Sequence, residues 1–325
     1  MGKTFFKELQ QKAKVLEVEY SEAPWDYHWA AKKVLPENFD TTFLYHYTSQ
    51  AGAHGILTSK SIWATDAFFL NDPQEVAWGR KALQTACKRL DKAVQAELSR
   101  MLTALTRISA EDGREFDGLL RNRAYTVSLS TNGDVLRQWR GYGDTRGVAL
   151  GFNLKLLANV CADALLAPVL YEPQEALADL FYHDLCAMLS GGERDRQASY
   201  ELCDRLIERY ATFLPLAKNP DYQDEEEWRL VIPGFQVNEN IPRWRSGTNY
   251  AKPHLTIGLW EGSVRTRLID QYRAQSARER PTDQPAAYRG CRAVMGPEAH
   301  PLASQFFHKT LKGAVEKSAI TYRSP

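Results

Sequence analysis

The feature that most constrains this chain is a series of short segments with alternating side chains, separated by longer helical segments. In the clearest one, residues 124–130, large apolar side chains alternate with hydroxyl side chains: Tyr125, Val127 and Leu129 against Thr126, Ser128 and Ser130. Further strand-like segments lie at residues 42–48, 62–65, 147–152, 225–232, 289–295 and 319–322. Strands this short bury their apolar faces only in a shared sheet, so we expect a mixed α+β fold with one core sheet system and helical insertions.

The intervening segments have helical patterns. Residues 75–110 are rich in Ala, Leu, Lys and Gln and contain no proline, and residues 174–214 and 302–311 carry apolar side chains at helical spacing. A length of 325 residues permits two domains or one enlarged core. We expect the second: a helical and aromatic N-terminal segment over residues 1–41, then a single domain over 42–325 with helical inserts near 75–122 and 174–218.

The composition excludes several classes of protein. Lys and Arg (41) almost balance Asp and Glu (40), which excludes a uniformly basic nucleic-acid-binding surface while permitting a local basic patch. The five cysteines form no CxxC pair, so neither a disulfide framework nor a structural metal is indicated, and a reducing cytoplasm fits best. No uninterrupted apolar stretch of about 20 residues suggests a membrane span, and the N-terminus lacks a signal-peptide pattern.

Two glutamates are the first candidates for chemistry. Glu225 and Glu227 are two residues apart in a predicted strand, so their carboxylates are expected on one sheet face, with Arg229 beside them. Paired carboxylates suit acid–base catalysis. The alternative is that they form the solvated face of an edge strand.

Polar side chains on two other predicted strands are the next candidates. His46 lies between Tyr45 and Tyr47, a setting that suits either contact with a planar ligand or a core histidine. Ser128 and Ser130 share one face, where their hydroxyl groups suit a ribose or a phosphate, or simply face solvent. Residues 71–75 (Asn-Asp-Pro-Gln-Glu) are explained by a helix N-cap. The chain contains no P-loop, HExxH, GxSxG or kinase signature.

Seven motifs occur in an order that resembles one bacterial family, the domain of unknown function 2971. They are Leu44–Ser49, Ile62–Thr65, Asn71–Glu75, Val127–Ser130, Gln138–Tyr142, Gly147–Phe152 and Glu225–Leu230. The segment Val294–Pro297 and the ending Ile320–Arg323 extend the resemblance over residues 42–323.

This family in turn resembles a distant branch of the ADP-ribosyltransferase fold. The resemblance implies an α+β fold with a split, mixed β-sheet core of the ADP-ribosyltransferase type. It also implies NAD as a substrate, Glu227 as the catalytic glutamate, and Glu225 as the residue that orients or deprotonates the acceptor. It implies that His46 holds the adenosine-side ribose and that Tyr47 or a nearby aromatic stacks on nicotinamide. The expected NAD-binding set is His46, Tyr47, Thr48, Ser128 and Ser130, with no metal. A His-type first strand combined with a Ser-type second strand departs from the known subclasses and leaves the subclass open.

The resemblance also implies partners: a macromolecular acceptor, protein or nucleic acid, and for a toxin or antiphage effector an antitoxin or immunity protein. One alternative is a non-enzymatic module that binds a nucleotide or nucleic acid. It rests on residues 241–293, where ten Lys and Arg outnumber four Asp and Glu, with Trp244 and Tyr250 among them. Another alternative is a metal-dependent nuclease that uses Asp72 with Glu225 or Glu227.

Overall fold

The structure is a computed structural model that describes residues 43–70, 75–96, 98–99, 123–143, 145–154, 156–157, 164–189, 196–234, 243–246, 251–259, 290–312 and 314–320. The expected N-terminal segment, residues 1–41, lies outside the described residues, as do Asn71 and Asp72 of the expected helix cap. None of the described helices is long and apolar enough to cross a membrane.

Ten strands and five main helices make up the described part. The strands are β1 (Phe43–Thr48), β2 (Ser61–Asp66), β3 (Ala124–Ser130), β4 (Val148–Asn153), β5 (Leu165–Pro168), β6 (Glu227–Pro233), β7 (Arg243–Ser246), β8 (Ala251–Gly258), β9 (Cys291–Met295) and β10 (Val315–Lys317). The helices are α1 (Gln50–Ser59), α2 (Glu75–Lys88), α3 (Gln174–Leu189), α4 (Arg196–Phe213) and α5 (Pro301–Leu311).

All ten strands belong to one mixed, open sheet. Its main path runs β10-β9-β4-β1-β3-β2-β8-β7, and β6 and β5 continue the sheet from β3. The β9–β10 pair is parallel and the other pairs are antiparallel. The expectation of a mixed sheet with helices is confirmed at this level.

The sheet divides at β3. One edge of β3 pairs with β6 along its whole length, from Ala124 to Ser130. The other edge is shared: β1 pairs at Ser130, through Tyr45, whereas β2 pairs at Thr126, through Thr65. Because β1 and β2 diverge between these two points, they leave an opening at Ser128.

The alternating pattern of β3 buries one set of its side chains in a hydrophobic core that is formed mainly by strand residues. Tyr125, Val127 and Leu129 pack there with residues of neighbouring strands and of α1 and α5, including Leu57 and Phe307. The second large core joins α2, α3 and α4 to β5 and β6. The two helical regions thus cover different parts of the sheet.

The predicted strands agree with the structure in five places and differ in two. The expected strand 225–232 begins at Glu227, because residues 220–225 form a 3₁₀ segment and Glu226 adopts a left-handed conformation (φ 43°). The expected strand at 319–322 is wrong for Ala319 and Ile320, since the last strand is β10, at Val315–Lys317. β5, β7 and β8 were not predicted. β5 and β7 have only four residues each, whereas the eight residues of β8 alternate between apolar and polar side chains, a signal that was overlooked.

A buried ion pair joins α3 to α4. Arg209 donates to both oxygens of Asp184, from Nε at 2.8 Å and from Nη2 at 2.6 Å, and the Tyr210 hydroxyl donates to the same carboxylate at 3.0 Å. Asp184 is 2% exposed and Arg209 is 6% exposed. A charged group at such a site is costly to leave without its partner.

We predict that Asp184→Asn lowers the free energy of unfolding by about 3 kcal/mol or more, because it leaves the Arg209 guanidinium buried without a counter-charge. Asp179→Asn on the same helix is the matched control. Asp179 pairs with Arg89 at the surface, where ion pairs contribute little. Urea unfolding of both variants measures the difference, and equal losses would contradict the prediction.

Candidate functional site

A cleft of about 810 Å³ opens where β1 and β2 diverge. Its walls come from β1, one side of α1, β2, β3 and β8, together with the segment that leads into β6. The structure brings the seven predicted site residues together in the lining of this cleft: His46, Tyr47, Thr48, Ser128, Ser130, Glu225 and Glu227. The fold places these seven residues around one cleft. Their functional roles remain predictions.

The ring of His46 forms a hydrogen bond with the edge of β3 at the opening. Its Nδ1 lies 3.0 Å from the backbone oxygen of Ser128, the residue between the β1 and β2 pairings. A carbonyl oxygen only accepts hydrogen bonds, so this contact makes Nδ1 the donor. The histidine ring therefore bonds a carbonyl that would otherwise pair with a neighbouring strand.

Glu227 is a buried carboxylate that is paired with two cations. Arg229 donates to it from Nε at 2.8 Å and from Nη2 at 2.9 Å, and Lys218 Nζ lies 2.9 Å from Oε2. The Ser128 hydroxyl hydrogen-bonds to it as well. Burial alone would raise its pKa, but the two cations outweigh burial and lower the pKa of Glu227 to about 2. This carboxylate is ionised at neutral pH.

Glu225 reaches the cleft from a different element. It ends the 3₁₀ segment Pro220–Glu225, and its Oε2 lies 2.7 Å from Lys218 Nζ. Its Oε1 lies 3.6 Å from Arg137 Nε, a more distant contact. The expectation that Glu225 and Glu227 share the face of one strand is therefore wrong: the left-handed Glu226 separates them, and Lys218 joins them.

The solvated-edge interpretation of this segment is also wrong. β6 lies between β3 and β5, so it is not an edge strand at this position. Glu225 is 7% exposed, Glu227 5% and Arg229 0%. Two carboxylates and two cations are buried together, and burial on this scale requires the charges to compensate one another.

Two of the residues that were predicted to contact a ligand, Tyr47 and Ser130, form hydrogen bonds within the protein. The Tyr47 hydroxyl donates to the Asn132 carbonyl at 2.8 Å and accepts from the Val135 amide at 2.9 Å, while its ring meets Trp139 edge-on at 4.7 Å. The Ser130 hydroxyl donates to the Glu225 carbonyl at 3.1 Å. These bonds hold the loop after β3 and the turn before β6 at one end of the cleft.

Sequence analysis missed Lys218 and two aromatic residues of the cleft. Trp63 is 49% exposed and Tyr142 is 40% exposed, and both line the cleft. Lys218 follows α4 and is 3% exposed, although a lysine beside a helix end is typical of the surface. The apolar run before Lys218, residues 213–217, was the only sequence signal of its burial.

The nuclease hypothesis gains no geometric support. The described residues contain no group of three or more His, Cys, Asp or Glu side chains arranged to hold a metal. Asp72 lies outside them. Lys218 and Arg229 occupy the carboxylate oxygens that this hypothesis assigns to a metal.

Comparison with known proteins adds one match. The model of the family DUF2971, described as a protein of unknown function, matches residues 138–230. No curated protein and no solved structure matches the chain. The matched segment contains Lys218, Glu225 and Glu227, whereas His46 and Ser128 precede it. The chain is therefore similar to DUF2971 proteins over the part that supplies the buried charges of the cleft.

Proposed function

We propose that the protein is an ADP-ribosyltransferase that cleaves the nicotinamide–ribose bond of NAD and transfers ADP-ribose to a macromolecular acceptor. The observation that supports this most is the convergence of His46, Ser128 and Glu227 on one cleft at the division of the sheet. By resemblance, sites of the ADP-ribosyltransferase fold combine a His or Arg on the first strand, a Ser or Tyr on a middle strand and a Glu on a late strand. The three residues follow that order, although the combination of His with Ser departs from the known subclasses.

The chemistry needs a carboxylate beside the reacting ribose. The bond between C1′ and the nicotinamide nitrogen breaks with its electron pair going to nicotinamide, which leaves as a neutral molecule. C1′ then carries a developing positive charge, as in glycoside cleavage, and an ionised carboxylate stabilises it. We assign this role to Glu227, which accepts a hydrogen bond from a hydroxyl of that ribose.

The acceptor then bonds to C1′ and loses a proton. Glu225 is assigned as the group that takes this proton, since its Oε1 is the less engaged oxygen, with Arg137 Nε at 3.6 Å. Glu227 is unsuited to this step, because Arg229 and Lys218 lower its pKa to about 2 and make it a weak base.

The cleft also offers surfaces for the two planar rings of NAD. Tyr47 is engaged by Asn132, Val135 and Trp139, so we assign the stacking role to the exposed aromatics Trp63 and Tyr142. His46 is assigned to the adenosine-side ribose, and Ser128 to the support of Glu227.

We propose that such an enzyme acts as a toxin or antiphage effector. An antitoxin or immunity protein would then hold its activity in check.

One observation favours a second candidate, a non-enzymatic module that binds a nucleotide or nucleic acid in the same cleft. Glu227 is paired with two cations, and a carboxylate held in this way is also what a purely structural ion cluster would show. The two candidates differ in one measurable respect: only the transferase releases nicotinamide.

We predict that Glu227→Gln lowers the transfer of labelled ADP-ribose from NAD to lysate acceptors by about 100-fold or more, because the charge beside C1′ is lost. The matched control is Glu226→Gln, which changes the adjacent, exposed glutamate outside the cleft lining. Circular dichroism and thermal unfolding confirm that each variant is folded.

Undiminished labelling by folded Glu227→Gln would remove Glu227 from the mechanism. NAD binding by the wild-type protein without release of nicotinamide would instead establish the binding module.

We predict that His46→Ala weakens NAD binding about 10-fold, equivalent to about 1.4 kcal/mol, while the maximal rate changes less. The reason is that His46 is assigned to binding, away from the bond that breaks. Titration calorimetry with NAD measures the affinity, with His308→Ala, on the exposed side of α5, as the control. Unchanged affinity would exclude His46 from the NAD site.

A further inference from the structure

One lysine connects the two carboxylates of the cleft. Lys218 Nζ lies 2.7 Å from Glu225 Oε2 and 2.9 Å from Glu227 Oε2. Glu225 belongs to the 3₁₀ segment and Glu227 to β6, so this contact joins two elements that the left-handed Glu226 separates. Lys218 is 3% exposed, and its ammonium group also lies 5.1 Å from the centre of the Tyr222 ring.

The charges around this contact balance only with Lys218 present. Glu225 and Glu227 carry two negative charges in buried positions, and Lys218 and Arg229 carry two positive charges. Without Lys218, two buried carboxylates would share Arg229. Neighbouring carboxylates in that situation bind a proton together, and one of them titrates at a much higher pH.

The other groups that face this pair do not replace Lys218. Arg137 is half-exposed, 3.6 Å from Glu225 Oε1, and closer to Asp224 Oδ1 at 2.6 Å. The Tyr171 hydroxyl accepts from the Glu227 amide at 3.0 Å, and burial, followed by the charge of Glu227, raises the pKa of Tyr171, so it stays neutral. Ser128 contributes a hydroxyl group without charge.

We propose that Lys218 is a positioning residue that holds Glu225 and Glu227 at a fixed separation in the cleft and compensates their buried charge, so that the pair acts as a unit. Its consequence for catalysis rests on the proposed transferase function. Its effect on the titration of Glu227 does not.

The test compares Lys218→Met, which removes the charge at similar length, with Lys218→Arg, which retains it. Lys81→Met, on the exposed side of α2, is the control. If the wild type transfers ADP-ribose, we expect the acid limb of the Lys218→Met rate profile to move up by about one pH unit or more. Lys218→Arg keeps the wild-type profile even if its rate is lower, and Lys81→Met changes neither.

A second readout is independent of activity. Carbon-13 NMR of labelled glutamate side chains, assigned with Glu225→Gln and Glu227→Gln, follows the carboxylate titration in each variant. We expect Glu227 to titrate higher in Lys218→Met by about one unit or more, because the charge of Lys218 lowers the pKa of Glu227 in the wild type. Wild-type protein that titrates as expected but transfers no ADP-ribose would refute the proposed function and leave the role of Lys218 standing.

A double variant covers the case in which Lys218→Met is too unstable to assay. Lys218→Met combined with Glu225→Gln restores the balance of buried charge, with Glu227 facing Arg229. We expect this double variant to unfold at a higher urea concentration than Lys218→Met alone. Additive destabilisation, or an unchanged carboxylate titration in folded Lys218→Met, would overturn the proposal.

Discussion

The architecture of this protein depends on how one strand edge is covered. A strand leaves a row of amide and carbonyl groups on each edge, and these groups need hydrogen-bond partners when they are buried. β6 covers one edge of β3 completely, but β1 and β2 each cover only an end of the other edge. At the gap, the ring of His46 donates a hydrogen bond to the backbone oxygen of Ser128. A side chain therefore supplies a hydrogen bond that a neighbouring strand would otherwise provide. The opening between β1 and β2 at this point is the cleft.

The polar face of β3 lines the cleft because of that gap. Its hydroxyl side chains point away from the apolar core that Tyr125, Val127 and Leu129 enter. Where β6 runs alongside, Glu227 and Arg229 lie opposite Ser130 and Ser128. Charged groups buried in a sheet interior are stable only as compensated sets, and Lys218 supplies the second cation that compensation requires. Fold stability and the chemistry of the cleft are thus linked through the same four charges.

Much of the sheet was predictable because alternation is a local signal. β3 has the predicted bounds, and α3, α4 and α5 follow from apolar side chains at helical spacing. The convergence of His46, Ser128 and Glu227 was also predicted, although from a family resemblance. The errors have physical causes. A left-handed Glu226 ends the alternation before β6, and the four-residue strands β5 and β7 are too short to show a pattern and are determined by their neighbours in the sheet. The alternation of β8 was overlooked.

The spacing of side chains along the chain predicts most of the strands, the main helices and the apolar face of β3, because these depend on local sequence patterns. Only the tertiary structure decided that β1 and β2 part at Ser128, and that Lys218 reaches two carboxylates on different elements. Those outcomes depend on hydrogen-bond partners and counter-charges that are distant in sequence or separated by a change of backbone direction. Burial makes such partners obligatory, and only the folded chain brings them together.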